Sequence, residues 1–495
     1  MVALLLACGA GICLSLLLEK LVKPAAPPLV RNAPALALHC GLFSLLFVLI
    51  AVVLRRPFLS AVLVLALQLV LVLVSNAKWR ALREPLVYSD VELFSQALRH
   101  PRLYLPYLEL VPGVLAILAF AAAVTAGVML ENAIAVRLPQ WTLLGVVALG
   151  ALAWGARPVG GALSLEPEAD VAHHGLVATL WLYWMCERAS PPERSVATPF
   201  SAAAPPRHRL RPHVAVVQSE SFFDPRLLHR GIADGVLGNY DALRAAGASG
   251  RLAVPGWGAY TMRTEFAFLS GIGANRLGVH RFNPYRRFAR QPISTLAWYL
   301  RTIGYRTVCV HPYPATFFGR DRVIGNLGFD EFLDLRVFTN AAHAGPFVAD
   351  SEVARKVIEI LDAAKQPVFV FAITMENHGP LHLERATRED AASLYREAPP
   401  AGFEDLTVYL RHLRNADAMF GELAGVLGER GRDGILCAFG DHVPSMPRVY
   451  SARQYADSRT DYLIWRAGHA AASRADLPVE ALAANLLRLA GLAPA

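Results

Sequence analysis

Five long apolar runs crowd the first third of this 495-residue chain, and they limit its fold more than any other feature. They lie at roughly Val2–Leu18, Ala35–Leu54, Phe58–Ser75, Leu110–Leu130 and Trp141–Ala156. The first four come near or pass the ~18–20 residues a helix needs to cross a bilayer core. The fifth is shorter and rich in glycine. They account for almost all of a mean hydropathy of +0.36 in a chain with only 18% charged residues. The first run has no basic stretch before it and is followed by further spans, so it reads as an anchor and not as a cleaved leader. Five spans put the N-terminus and the long C-terminal part on opposite sides of the membrane. Loop charge is divided over the direction. Arg55, Arg56 and Arg137 favour cytoplasmic loops, yet Lys78, Arg80, Arg83, Arg99 and Arg102 crowd a loop that would then lie outside.

The remainder falls into segments. Asn76–Asp90 and the helically spaced Val91–Arg99 are too polar to span and are expected to fold against the membrane surface. Gly175–Cys186, with Trp181, Tyr183 and Trp184, is too short to cross; it is either an interfacial helix or a buried helix of the soluble domain. Prolines 191, 192, 199, 205 and 206 mark a linker. The expected domains are therefore a transmembrane domain over 1–158, a juxtamembrane segment and linker over 159–212, and a second domain over 213–495. In that last part short apolar runs (Val214–Gln218, Thr307–His311, Val368–Thr374, Ile435–Phe439) alternate with helical spacing (Leu237–Ala246, Thr295–Ile303, Asp350–Ala364, Leu406–Leu427, Val479–Ala490). That alternation predicts an α/β domain with a mostly parallel sheet covered on both faces. Cys309 and Cys437 sit inside strand-like runs and read as core residues, not a disulfide. A net charge of +8 suits a neighbour of anionic headgroups. No nucleic-acid motif is present, so no nucleic-acid partner is expected.

In such sheets the active site lies beyond the carboxyl ends of the strands. Here the four apolar strands run into Ser219-Glu220-Ser221, His311-Pro312-Tyr313, Glu376-Asn377-His378 and Gly440-Asp441-His442. Glu220, Asp441 and His442 form a carboxylate–imidazole set suited to Mn²⁺, Zn²⁺ or Mg²⁺. Thr261 stands between a turn-rich stretch (Pro255, Gly256, Gly258) and a helix start, where it could add a fourth ligand and act as a nucleophile. A divalent ion lowers the pKa of bound water from roughly 16 to about 7, and a coordinated hydroxyl should shift the same way. His378 could bond a phosphoryl oxygen or handle the leaving-group proton. Arg320 suits a bidentate phosphate grip, and His311 could help. Glu376 and Asp224 lie near the same strand ends but are not expected to ligate.

These segments resemble the membrane phosphoglycerol transferases related to lipoteichoic acid synthase, in the sulfatase-like part of the alkaline phosphatase superfamily. Glu220-Ser221-Phe222 resembles the first metal motif, and Thr261 with Glu265-Phe266 the nucleophile helix. His311 through Phe318-Gly319-Arg320-Asp321 is similar to the substrate-phosphate segment. Asn377-His378-Gly379-Pro380 resembles the active-site histidine loop, and Gly440-Asp441-His442 the closing metal motif. Tyr313 departs from the pattern, standing where those enzymes tend to carry an acidic residue, as does Met262-Arg263-Thr264. No Cys/Ser-x-Pro-x-Arg motif is present, which argues against a formylglycine sulfatase. The resemblance implies a cytoplasmic-membrane enzyme with an outward-facing sulfatase-like domain, one divalent ion (Mn²⁺, with Mg²⁺ or Zn²⁺ as alternatives), a phospholipid donor and a glycan, glycolipid or polymer acceptor. It implies headgroup transfer, phosphoglycerol first, through a phospho-threonine at Thr261. The alternatives are a phosphoethanolamine transferase, a phosphoric ester hydrolase, or an inactive polymer-binding membrane protein.

Overall fold

The computed structural model describes every residue except 1, 30, 93–98, 100, 102–109, 136–137, 158–162, 190–196, 202–210, 430–432, 471 and 494–495. Most of the helical spacing expected at Val91–Arg99, and much of the proline-rich linker, lie outside the described residues. The chain divides at Pro191/Pro192 into two compact units.

Among the described residues of the first unit, five helices are long and apolar enough to cross a membrane. They are α1 (Val2–Leu18), α2 (Ala33–Leu54), α3 (Pro57–Leu82), α4 (Leu110–Leu130) and α5 (Leu138–Gly155). α3 runs seven residues past the apolar stretch, through Ser75 to Leu82. Those added residues are held by polar contacts: Lys78 Nζ lies 2.7 Å from Glu84 and 2.6 Å from Asp90. With lipid-like side chains all round, the helices meet through packing and a few polar pairs. Phe43 and Phe47 of α2 pack with Leu4 and Cys8 of α1 and with Val64 of α3. Near the ends of α1 and α2, the Arg31 guanidinium pairs with Glu19 at 2.5 Å, both side chains fully buried. Two further helices follow, α6 (Pro167–His174) and α7 (Leu176–Ala189). α7 covers the short aromatic stretch. Its Leu176, Ala178, Leu182 and Tyr183 are buried against helices of this first unit, so it is not a buried helix of the second domain.

The second unit is built on a mixed sheet. β1 (His213–Ser219), β3 (Arg306–Val310), β5 (Val368–Ile373) and β6 (Gly434–Gly440) are the four apolar runs. They stand in the order β6-β1-β5-β3, all parallel, with β4 (Glu331–Leu333) parallel at the β3 edge. Beyond β6 the sheet departs from expectation. β7 (Thr460–Arg466) runs antiparallel to β6, and β2 (Ala248–Ala253) antiparallel to β7. Two short strands, β8 (Ser473–Arg474) and β9 (Leu477–Pro478), then pair with β2. Ser249, Gly250 and Arg251 interrupt β2, while β7 carries Asp461 just ahead of its apolar run Tyr462–Trp465.

The helices between them cover both faces. They are α8 (Gly238–Ala246), α9 (Thr261–Ser270), α10 (Leu296–Thr302), α11 (Asp350–Asp362), α12 (Glu404–Glu429) and α13 (Val479–Ala490). Successive strand residues point to opposite faces. Ala215, Val217, Val370 and Ala438 join Val353 and Val357 of α11 and Leu410, Leu413 and Phe420 of α12 in one core. The alternate residues Phe371 and Phe439 meet Phe268 of α9, with ring centroids 5.7 and 4.7 Å apart. α9, the helix whose start the sequence places at Thr261, is buried along its whole length.

Candidate active site

The strand register brings the first pieces together. Ser219 of β1 lies opposite Gly440 of β6, so Glu220 and Asp441 leave adjacent strands side by side. Gly440 is required there, since a Cβ would fall 1.8 Å from the Phe222 carbonyl oxygen. Ser221 turns the chain with φ +56°. Its N–H donates to Asp441 Oδ1 at 2.8 Å and its hydroxyl to Glu220 Oε1 at 2.8 Å. Asp441 Oδ1 also accepts the His442 N–H at 3.0 Å. His442 Nδ1 donates to the Val443 carbonyl at 3.1 Å, which leaves Nε2 with its lone pair. That Nε2 faces Glu220 Oε1 at 3.4 Å and Asp441 Oδ2 at 3.3 Å.

The three groups fit a cation. Their ligand atoms lie within 4.8 Å of one another and all three residues are buried. Asp441 Oδ2 and His442 Nε2 have no hydrogen-bond partner, a costly state for buried polar atoms that a bound ion would relieve. Burial, then the Asp441 charge, pushes the Glu220 carboxyl up to about 8. The anionic form of Glu220 is thus disfavoured beside Asp441 until a cation sits between them.

Thr261 opens α9 directly after Tyr260, which holds φ +69°. One turn on, the Thr264 hydroxyl donates to the Asp441 carbonyl at 2.7 Å and ties the start of α9 to the Asp441 corner. One helical turn from Thr261, Glu265 accepts from Arg320 Nη2 at 2.7 Å and Nε at 3.2 Å, and from the Tyr285 hydroxyl. Arg320 Nη1 donates to His311 Nε2 at 3.2 Å, and His311 Nδ1 donates to the Ile373 carbonyl at 3.1 Å. His311 is therefore neutral; burial and then the Arg320 charge hold its pKa well below the usual range. The structure thus joins Arg320 and His311, as the sequence anticipates, but forks the guanidinium onto Glu265. Sequence reasoning missed this partnership. Its trace is the i, i+4 spacing of Thr261 and Glu265.

His378 lies in the turn after β5, with Nδ1 2.7 Å from the Gly379 carbonyl and its ring against Phe347. Burial lowers its pKa, so it stands neutral with Nε2 available. Asp224 is bound to Arg226 and Glu376 is enclosed by hydrogen-bond donors; neither joins the trio. Arg281, Arg286 and Arg287, basic residues following α9, are half-buried and engaged by neighbours.

The profile of the sulfatase family matches residues 212–492, more than half of the chain. The chain belongs to the sulfatase family. Its relatives include the capsular polysaccharide biosynthesis protein RkpI of Rhizobium meliloti (strain 1021), 27% identical over 436 residues, covering 83% of this chain and 77% of that protein. A protein of the same strain, named for cyclic beta-1,2-glucan modification, is 30% identical over 249 residues, half of this chain but only 38% of the relative's length. Lipoteichoic acid synthase of Staphylococcus saprophyticus is 28% identical over 145 residues, covering 28% of this chain and 21% of the synthase. Among solved structures, the integral membrane phosphoethanolamine transferase EptA of Neisseria meningitidis matches with a TM-score of 0.60 at 13% identity, over 98% of this chain and 96% of EptA. The sulfatase-family chain therefore shares its architecture, apolar helices followed by an α/β domain, with an integral membrane protein.

Proposed function

We propose that this protein transfers a phospholipid headgroup, phosphoglycerol in the first instance, to a glycan, glycolipid or polymer outside the cytoplasmic membrane. The observation that carries the reading is the buried trio Glu220, Asp441 and His442, with two unpartnered ligand atoms, tied through Thr264 to the helix that Thr261 opens. Names of two relatives add weight on the acceptor side, since both refer to polysaccharides or glucans.

Glu220, Asp441 and His442 would hold the ion, with Thr261 as a fourth ligand. A divalent ion bound there supplies a lowered hydroxyl pKa and positive charge opposite the phosphoryl oxygens. Thr261 Oγ forms a bond to phosphorus as the bond from phosphorus to the diacylglycerol oxygen breaks. In the second half an acceptor hydroxyl attacks the phospho-threonine and frees Thr261. His378, neutral with an open Nε2, would take the Thr261 proton as the bond to phosphorus forms and hand it to the departing diacylglycerol oxygen; in the second half it would take the acceptor's proton and return it to Thr261 Oγ. Arg320, oriented by Glu265 and His311, supplies fixed positive charge beside the phosphoryl group.

The test uses the full-length protein with phosphatidylglycerol and phosphatidylethanolamine, each labelled in the headgroup, followed by mass analysis of the peptide bearing Thr261. A glycerophosphate adduct on Thr261 is expected. A phosphoethanolamine adduct would replace the headgroup but keep the mechanism. Release of free headgroup phosphate with no transfer would make the protein a hydrolase, and no adduct or turnover with any lipid would favour a binding role.

A further inference from the structure

A second buried imidazole, outside the trio, faces a carboxylate at each ring nitrogen. His412 of α12 is 1% exposed. Its Nδ1 lies 3.0 Å from Glu376 Oε1, and its Nε2 lies 3.1 Å from Glu384 Oε2 and 3.2 Å from Oε1. Ionised carboxylates only accept, so both nitrogens must donate and the ring is an imidazolium. Charged and polar groups surround the pair on every packed side. On α12 itself, Asn415 donates to Glu376 Oε1 at 2.5 Å, and Arg411 donates to Glu384 at 2.7 Å and to Asp390 at 3.1 Å. At the start of α11 the Asp350 N–H donates to Glu376 Oε2 at 2.7 Å, while burial keeps the Asp350 carboxyl neutral.

Glu376 precedes His378 by two residues and Glu384 follows it by six, so one cation pins both flanks of the loop that carries His378. We propose that His412 is a positioning residue, whose positive charge latches the Met375–Glu384 segment onto α12 and releases it when the proton is lost. The catalytic consequence rests on the role proposed above for His378; the latch itself does not. Burial alone would lower the pKa of His412, but the hydrogen bonds and charges of Glu376 and Glu384 outweigh it and push the ring up to about 8. A raised histidine pKa adds stability that is full below its unfolded value of about 6.5 and is lost as pH rises through the folded value. The latch is closed in neutral solution and opens on the alkaline side.

Hydrogen–deuterium exchange of the full-length protein in detergent, corrected for intrinsic rates across pH, tests this without an activity assay. Protection of the 375–384 segment should fall in one step centred near pH 8. Glu384→Gln should move that step to lower pH. His412→Gln should abolish the step and speed exchange about tenfold at neutral pH, while β1 and β6 stay protected. A segment without a pH step, or the same step in His412→Gln, overturns the latch. The labelled-lipid assay forms the second arm, in which His412→Gln should lower kcat with KM unchanged. A loosened segment with full kcat would remove His378 from the proposed mechanism and leave the latch standing.

Discussion

Thr261, the proposed nucleophile, sits between a left-handed tyrosine and the first turn of a buried helix. Thr261→Ala should lower turnover by about 10³-fold or more, as expected for loss of a nucleophile, with metal content and melting temperature close to wild type. Substantial residual activity would reduce Thr261 to a helix-start residue. Asp441→Ala and His442→Ala should each lose the ion and the activity together, and Glu220→Gln should weaken both. Asp224→Ala, which breaks only a contact with Arg226, should keep a full equivalent by elemental analysis. The trio was legible in the sequence because each member follows an apolar strand. Glu265 and His412 were not legible as partners, since nothing in a helical segment says which distant side chain it will face. Arg320 shows the difference: its residue type suggested a phosphate grip, while its setting, 1% exposed and forked onto Glu265, appears only in three dimensions.

At the level of elements, the parallel centre of the sheet was readable and its antiparallel edge was not. β1, β3, β5 and β6 are continuous apolar strands buried on both faces, the strongest strand signal a sequence carries. β2 and β7 hold a serine, a glycine and charged residues, and gain their burial from pairing. The join between β1 and β6 is also where the site is most sensitive to a change that touches no ligand. Gly440→Ala should destabilise the protein by about 3 kcal/mol or more, because the Cβ meets backbone, which cannot turn aside as a side chain would. Thermal unfolding of the full-length protein in detergent would measure it. A melting temperature within a degree or so of wild type would mean that the two strands part more easily than their register implies.

For the whole molecule, the proposed outward orientation of the sulfatase-like domain, taken with the five long apolar helices among the described residues, implies that a reporter fused to Met1 should score as cytoplasmic. A reporter active outside would reverse the proposed orientation. The loop charge that clouded this direction in the sequence is partly accounted for, since Lys78 is taken up by Glu84 and Asp90. Inside the first unit, Glu19→Ala would leave Arg31 buried and unpaired, which should cost about 3–5 kcal/mol, and removing both partners should cost less. A double-mutant cycle on detergent melts would separate the two. The order of the sheet also governs how the protein can be made. β1 is the first strand synthesised, yet it stands between β5 and β6, and its neighbour β6 begins only at Gly434. At ribosomal rates the wait from Ser219 to Gly434 is roughly 10–40 s. Until Val368 opens β5 both edges of this apolar strand are unmatched, one stays so until β6, and Glu220 has neither of its companions. A chain broken off before β6 would hold apolar helices, a sticky strand and only one member of the trio, so the proposed activity could begin only after nearly the whole protein has been made.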